Sequence, residues 1–129
     1  MLQGTRVMLA GKSEAPMWFI AAADYAKQVS NSLRLLKNES KEYVVQGPDP
    51  FTFDEATKIF IKNYSKAKLS VLRMPLGLAK FLGVFNQKLN YVWHICEALN
   101  KYPEKFESQQ TWNELGKPAT RLADFAKNL

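Results

Sequence analysis

Cysteine is nearly absent from this 129-residue chain, where Cys96 stands alone. A lone thiol excludes an intramolecular disulfide and any zinc site built from several cysteines, and it fits a reducing compartment, so a cytoplasmic location is expected. Histidine also occurs once, as His94, and its nearest carboxylate, Glu97, does not make a metal-ligand set. Long apolar runs are missing. No stretch approaches the roughly 18 uninterrupted apolar residues of a spanning helix, and Gly4 and Arg6 break the first ten residues short of a signal peptide. Neither a membrane partner nor an export signal is expected.

Glycine is sparse too, and the six present never fall into G-x-G-x-x-G, so the chain carries no dinucleotide cradle of its own. Gly11-Lys12-Ser13 ends like a phosphate-binding loop, but Arg6 stands where the leading glycine is needed, and a phosphate loop is rejected. Acidic residues are absent from Ala56 to Cys96, where Lys58, Lys62, Lys66, Lys68, Arg73, Lys80 and Lys88 concentrate much of the +6 net charge. A nucleic-acid surface is one explanation of that basic middle. The solvated face of helices is the better one: Lys58, Lys62 and Lys66 repeat every four residues without interleaved aromatics. No nucleic-acid partner is expected.

What is present suffices for a core. Apolar residues make up 47% of the chain, with eight Phe, five Tyr and three Trp, which argues for one folded domain over residues 1–129 and against disorder. Arg6 to Ala10 and Met17 to Ile20 read as short strands. Asp24 is placed to cap a helix carrying Tyr25, Val29, Leu33 and Leu36. Glu42 to Gln46 reads as a strand closed by Gly47-Pro48-Asp49-Pro50. Thr52 and Glu55 then stand at capping-box spacing, so a helix is expected from Phe53, with Phe51 as a staple and Ala56, Ile59, Phe60 and Tyr64 on its apolar side.

Leu69 to Arg73 reads as another strand. After Pro75 apolar residues continue at helical spacing from Leu76 to Leu99, with a break near Gly83. Pro103 is expected to open a further helical turn stopped by Gly116 and Pro118, and Thr120 to cap a last helix with Leu122, Phe125 and Ala126. The expected class is α+β, or an α/β fragment: a few short strands in a small mixed sheet covered by about five helices, the second half mainly helical.

Few residues invite chemistry. Tyr64 and Lys68 have the Y-x-x-x-K spacing of a proton-transfer pair, but without a nucleotide site there is no hydride to accompany the proton. Cys96 falls on the apolar stripe as a small hydrophobe. Met17 and Trp18, Arg73 at a strand end beside Met74-Pro75, and Trp93 carry aromatic area or charge next to polar turns and are the substrate-cleft candidates. No catalytic, cofactor-binding or metal-binding residue is assigned.

Four strings carry a family resemblance: Trp18-Phe19-Ile20-Ala21-Ala22-Ala23-Asp24-Tyr25-Ala26; Tyr43-Val44-Val45-Gln46-Gly47-Pro48 with Thr52 and Glu55-Ala56; Met74-Pro75-Leu76; and Glu114-Leu115-Gly116-Lys117-Pro118 with Leu122-Ala123-Asp124-Phe125-Ala126. In this order they resemble the C-terminal half of the atypical short-chain dehydrogenase/reductase family, its NmrA-like and NAD(P)-dependent epimerase/dehydratase-like members. The resemblance implies a substrate-side domain whose parent oxidoreductase binds NAD(P) in an N-terminal Rossmann half. That half, with its glycine-rich loop and catalytic tyrosine and lysine, is missing here, and Tyr64 and Lys68 lie too late to be that pair. The expected partners are that Rossmann domain and a small-molecule substrate. The rival is a stand-alone interaction module that forms a homodimer.

Overall fold

The computed structural model describes residues 2–3, 5–35 and 40–129. It is an α+β structure with two small sheets and six helices among those residues, one more helix than expected. β1 (Leu2–Gln3) runs antiparallel to β2 (Arg6–Ala10), and β2 runs parallel to β5 (Ser70–Met74), in register from Arg6 opposite Ser70 to Ala10 opposite Met74. β3 (Met17–Trp18) and β4 (Pro50–Phe51) form a separate antiparallel pair. The mixed sheet is therefore joined by a connection of about 60 residues that contains two helices, as a parallel pairing requires.

The first of these helices, α1, spans Ala22–Leu35, so Leu36 lies outside the described residues. Asp24 does not cap it. The helix begins two residues earlier, and the buried Asp24 carboxylate accepts N–H bonds from Ala119 at 3.1 Å and Thr120 at 2.7 Å. Thr120 in turn does not cap the last helix, α6 (Leu122–Lys127). Its N–H is committed to Asp24, and Arg121 stands at the N-cap without a side-chain bond.

The helix from Phe53 starts as the capping box dictates: α2 (Phe53–Asn63) has the Thr52 hydroxyl accepting from Glu55 N–H at 3.2 Å and the Glu55 carboxylate accepting from Thr52 N–H at 2.9 Å. Tyr64 stacks on Phe60 one turn earlier. α3 (Leu76–Gly83) and α4 (Gln87–Lys101) form a hairpin broken where expected, with Asn86 capping α4.

Residues 42–46 form no strand. Side chains of α5 (Gln109–Leu115) and the residue before it occupy their backbone instead: Val44 C=O accepts from Ser108 Oγ at 2.7 Å and Thr111 Oγ1 at 2.6 Å, and Gln46 C=O from Trp112 Nε1 at 3.2 Å. Gly47 lies so close to Phe19 that any Cβ would collide with its carbonyl, which fixes glycine there. Pro103 opens no helical turn. The Gln46 side chain, 1% exposed, holds this segment irregular by donating to Glu104 and to Lys105 C=O and accepting from the N–H groups of Glu107 and Ser108.

The buried apolar residues are mostly small and scattered: Ala56, Ala79 and Ala126 sit on different helices, with Val7, Leu69 and Leu115 the larger members. Large apolar side chains remain outside. Tyr25, Val29 and Leu33 line one exposed stripe of α1, and Phe81, Val84, Phe85 and Tyr91 stand out from the α3–α4 hairpin. The chain exposes 9283 Å², about 2300 Å² more than a folded monomer of 14.7 kDa usually shows. Among the described residues no helix is long and apolar enough to cross a membrane.

Candidate functional site

Ala10 and Met74 end the two parallel strands side by side, and the chain turns away there at Gly11, whose N–H donates to Met74 C=O at 2.9 Å. Gly11 has φ of 63°, the left-handed region glycine enters without steric cost. The loop that follows is pinned from two sides. On one, the Asp54 carboxylate in the first turn of α2 accepts from Ser13 N–H at 3.3 Å. On the other, Asn100 near the end of α4 donates to Lys12 C=O and accepts from Glu14 N–H, both at 3.0 Å.

Between these supports lies a cavity of about 320 Å³. Its floor is β2 and Met74, and its long wall is Leu89, Val92, Cys96 and Leu99, one stripe of α4. Phe53, Asp54, Lys12, Ser13 and Asn100 ring the polar end. The lining runs from Met8 and Leu9 in the body of β2 to the loop beyond the carboxyl ends of β2 and β5, the end of a parallel pair at which ligands of open α/β sheets settle. Such a size is within the ordinary range for small-molecule sites, roughly 300–1,000 Å³.

The electrostatics of the rim are simple. Arg73 reaches across to the Asp54 carboxylate and Gly11 C=O. That guanidinium, together with the Ser13 N–H, holds the Asp54 carboxyl below its usual pKa although partial burial pushes the other way. Arg73 and Asp54 therefore neutralise each other. Burial pushes the Cys96 thiol up, so it stays neutral at pH 7, its sulfur 3.7 Å from Ala10 C=O. Lys12 is exposed and has no ion-pair partner among the described residues. The arrangement can hold an apolar body with one charged or hydrogen-bonding end.

The four residues singled out from the sequence do not converge. Arg73 comes nearest, bonded to two residues that line the cavity. Met17 and Trp18 lie in the separate β3–β4 pair, where Met17 is opposite Phe51 and Trp18 packs on Phe106 at 6.0 Å, which meets Trp112 at 4.7 Å. Trp93 is half-buried on α4, stacked on His94 with Lys80 Nζ 5.0 Å above its ring, and is absent from the cavity wall. Sequence reasoning passed over Lys12, Ser13, Asp54 and Asn100. The available signal was a glycine and polar residues directly after a strand, weighed only as a phosphate loop. Among the described residues no group of three or more His, Cys, Asp or Glu is placed to share a metal ion.

Compared with known proteins, the chain matches no protein-family model, and no curated protein is significantly similar to it in sequence.

Proposed function

We propose that this chain is the substrate-side, C-terminal domain of an NAD(P)-dependent epimerase/dehydratase-like oxidoreductase, contributing binding and shape while catalysis belongs to the parent's Rossmann half. The observation that carries the proposal is the uncovered apolar surface. The chain's exposed surface, polar and apolar together, exceeds that of a usual folded monomer of its mass by about 2300 Å², an area of the size one partner contributes to a large obligate interface, and large apolar side chains are among what it exposes. The stripe Tyr25, Val29 and Leu33 on α1 is part of it, and α1 begins within the first of the family-like strings. In that family the helix at this place packs beside the nucleotide domain. The cavity at the strand ends gives such a domain a place for substrate. The nicotinamide cofactor would be held by the other half, since this chain has no glycine-rich turn to meet a pyrophosphate.

The test is the size of the native polypeptide in source cells, read by immunoblot with an antibody against this chain. A band well above 14.7 kDa that is retained on immobilised NADP is expected; a band at 14.7 kDa sinks the proposal. A second reading draws on the same surface. A stand-alone module would bury the α1 stripe against another copy and give a stable dimer by light scattering, with a constant mass on dilution.

A further inference from the structure

We infer that the cavity at the ends of β2 and β5 takes a medium-length alkyl carboxylate, its chain along the α4 wall and its carboxylate at Lys12. This names a substrate class for the surface read above as substrate-side, and it rests on that reading. Size comes first. The 320 Å³ volume is roughly twice the ~150 Å³ apolar cavity that accommodates one benzene, which leaves room for on the order of twelve heavy atoms. Shape follows from α4: Leu89 to Leu99 spans ten residues, about 15 Å of helix rise, so the wall is longer than a single ring and suits an extended chain.

Charge fixes the head group. The polar side chains at the rim are mostly committed: Asn100 holds the loop on both its amide atoms, and Asp54 is bonded to Ser13 and Arg73. Arg73 is likewise committed to Asp54 and Gly11. Among the described residues lining the cavity, Lys12 is the cation without an ion-pair partner, which matches a single negative charge better than a phosphate with its larger charge and three acceptor oxygens. Each methylene that packs on the apolar wall leaves water and adds to affinity.

Titrating this 129-residue chain with hexanoate, octanoate, decanoate and dodecanoate below their micelle concentrations tests the inference by calorimetry. Saturable one-to-one binding is expected, tightening by up to about fourfold per buried methylene and levelling off once the chain outgrows the cavity. Decanoate should also slow labelling of Cys96, whose thiol lines the wall. 1-Decanol should bind about three- to fivefold more weakly than decanoate, and Lys12→Met should erase that difference without unfolding an exposed site. Val92→Trp, which fills the cavity, should abolish binding; if that variant does not fold, the chain-length series and Lys12→Met decide alone.

Absence of saturation, decanoate binding without Cys96 protection, or an affinity indifferent to Lys12→Met would each overturn the inference. These outcomes separate from the domain proposal. A large NADP-retained native polypeptide with no alkyl-carboxylate binding removes only the ligand class, whereas decanoate binding with a 14.7 kDa native band removes only the domain assignment.

Discussion

Two regions of this chain are held together in opposite ways. Around Asp24 and Gln46 the contacts are polar, buried and long in sequence: residues 24 and 28 bond to 116–120, and residues 44 and 46 to 104–112. The α3–α4 hairpin has the reverse character. It is rich in Leu, with Phe and Val beside them, yet α4 has no fully buried residue and Phe85 is 83% exposed. Polar groups in water gain little by pairing, but once buried they are costly to leave unpaired, so the first region specifies one arrangement of this chain by itself. Apolar surface carries no such local instruction. Exposed in this chain on the α3–α4 hairpin and the α1 stripe, it is the surface that the proposed parent's other half would cover.

The sharpest way to break this contrast is Gln46→Ala. The Gln46 amide makes four hydrogen bonds at 1% exposure, and truncation orphans two N–H groups and two acceptors, so a loss of about 3 kcal/mol in urea denaturation is expected. A change under about 0.5 kcal/mol would show that the polar region does not specify the fold.

Acid should act on the same region. Burial raises the Asp24 carboxyl pKa, but the Thr120 N–H and hydroxyl, Lys27 and the Ala119 N–H outweigh it and hold the folded-state value below 3.8. A lowered folded pKa means the stabilisation is present above the unfolded value and is lost as pH falls through the folded one. Denaturation midpoints should therefore fall below about pH 4, and Asp24→Asn should be less stable than wild type at pH 7, by about 1–2 kcal/mol, and flatter in acid. Identical slopes for the two proteins would contradict the role given to this carboxylate.

The smallest effect on stability is expected in the hairpin. Phe81→Ser with Phe85→Ser removes two exposed rings and should change unfolding free energy by no more than about 0.5 kcal/mol per site. Retention on an apolar chromatography matrix should nevertheless drop. A loss of several kcal/mol would mean these rings are packed within the chain, and the contrast between the two regions would vanish.

Local signals made much of the fold legible. β2 occupies Arg6–Ala10 as its apolar run requires, the Thr52–Glu55 box starts α2 at Phe53, and the α3–α4 break falls at Gly83. Each depends on residues within a few positions of one another. Asp24 reaches 95 residues ahead instead of capping its own helix, and side chains of α5 and its N-cap Ser108 bond the backbone of 42–46, which forms no strand. Short polar side chains such as these look alike in sequence whether they bond nearby or far away. The cavity was illegible for the same reason: β2, α2, β5 and α4 each supply a wall, and nothing in one segment points to the others.

Whether the α1 stripe is covered from within a longer polypeptide is the central claim, and thiol labelling of Val29→Cys in a Cys96→Ala background tests it most directly. In the 129-residue chain the new thiol should react quickly at every protein concentration, and in the native-length polypeptide at least about tenfold more slowly, because a cover in the same polypeptide does not dissociate on dilution. Equally fast labelling in both, or protection in the 129-residue chain that grows with its concentration, would contradict a Rossmann half as the partner and point to a second copy.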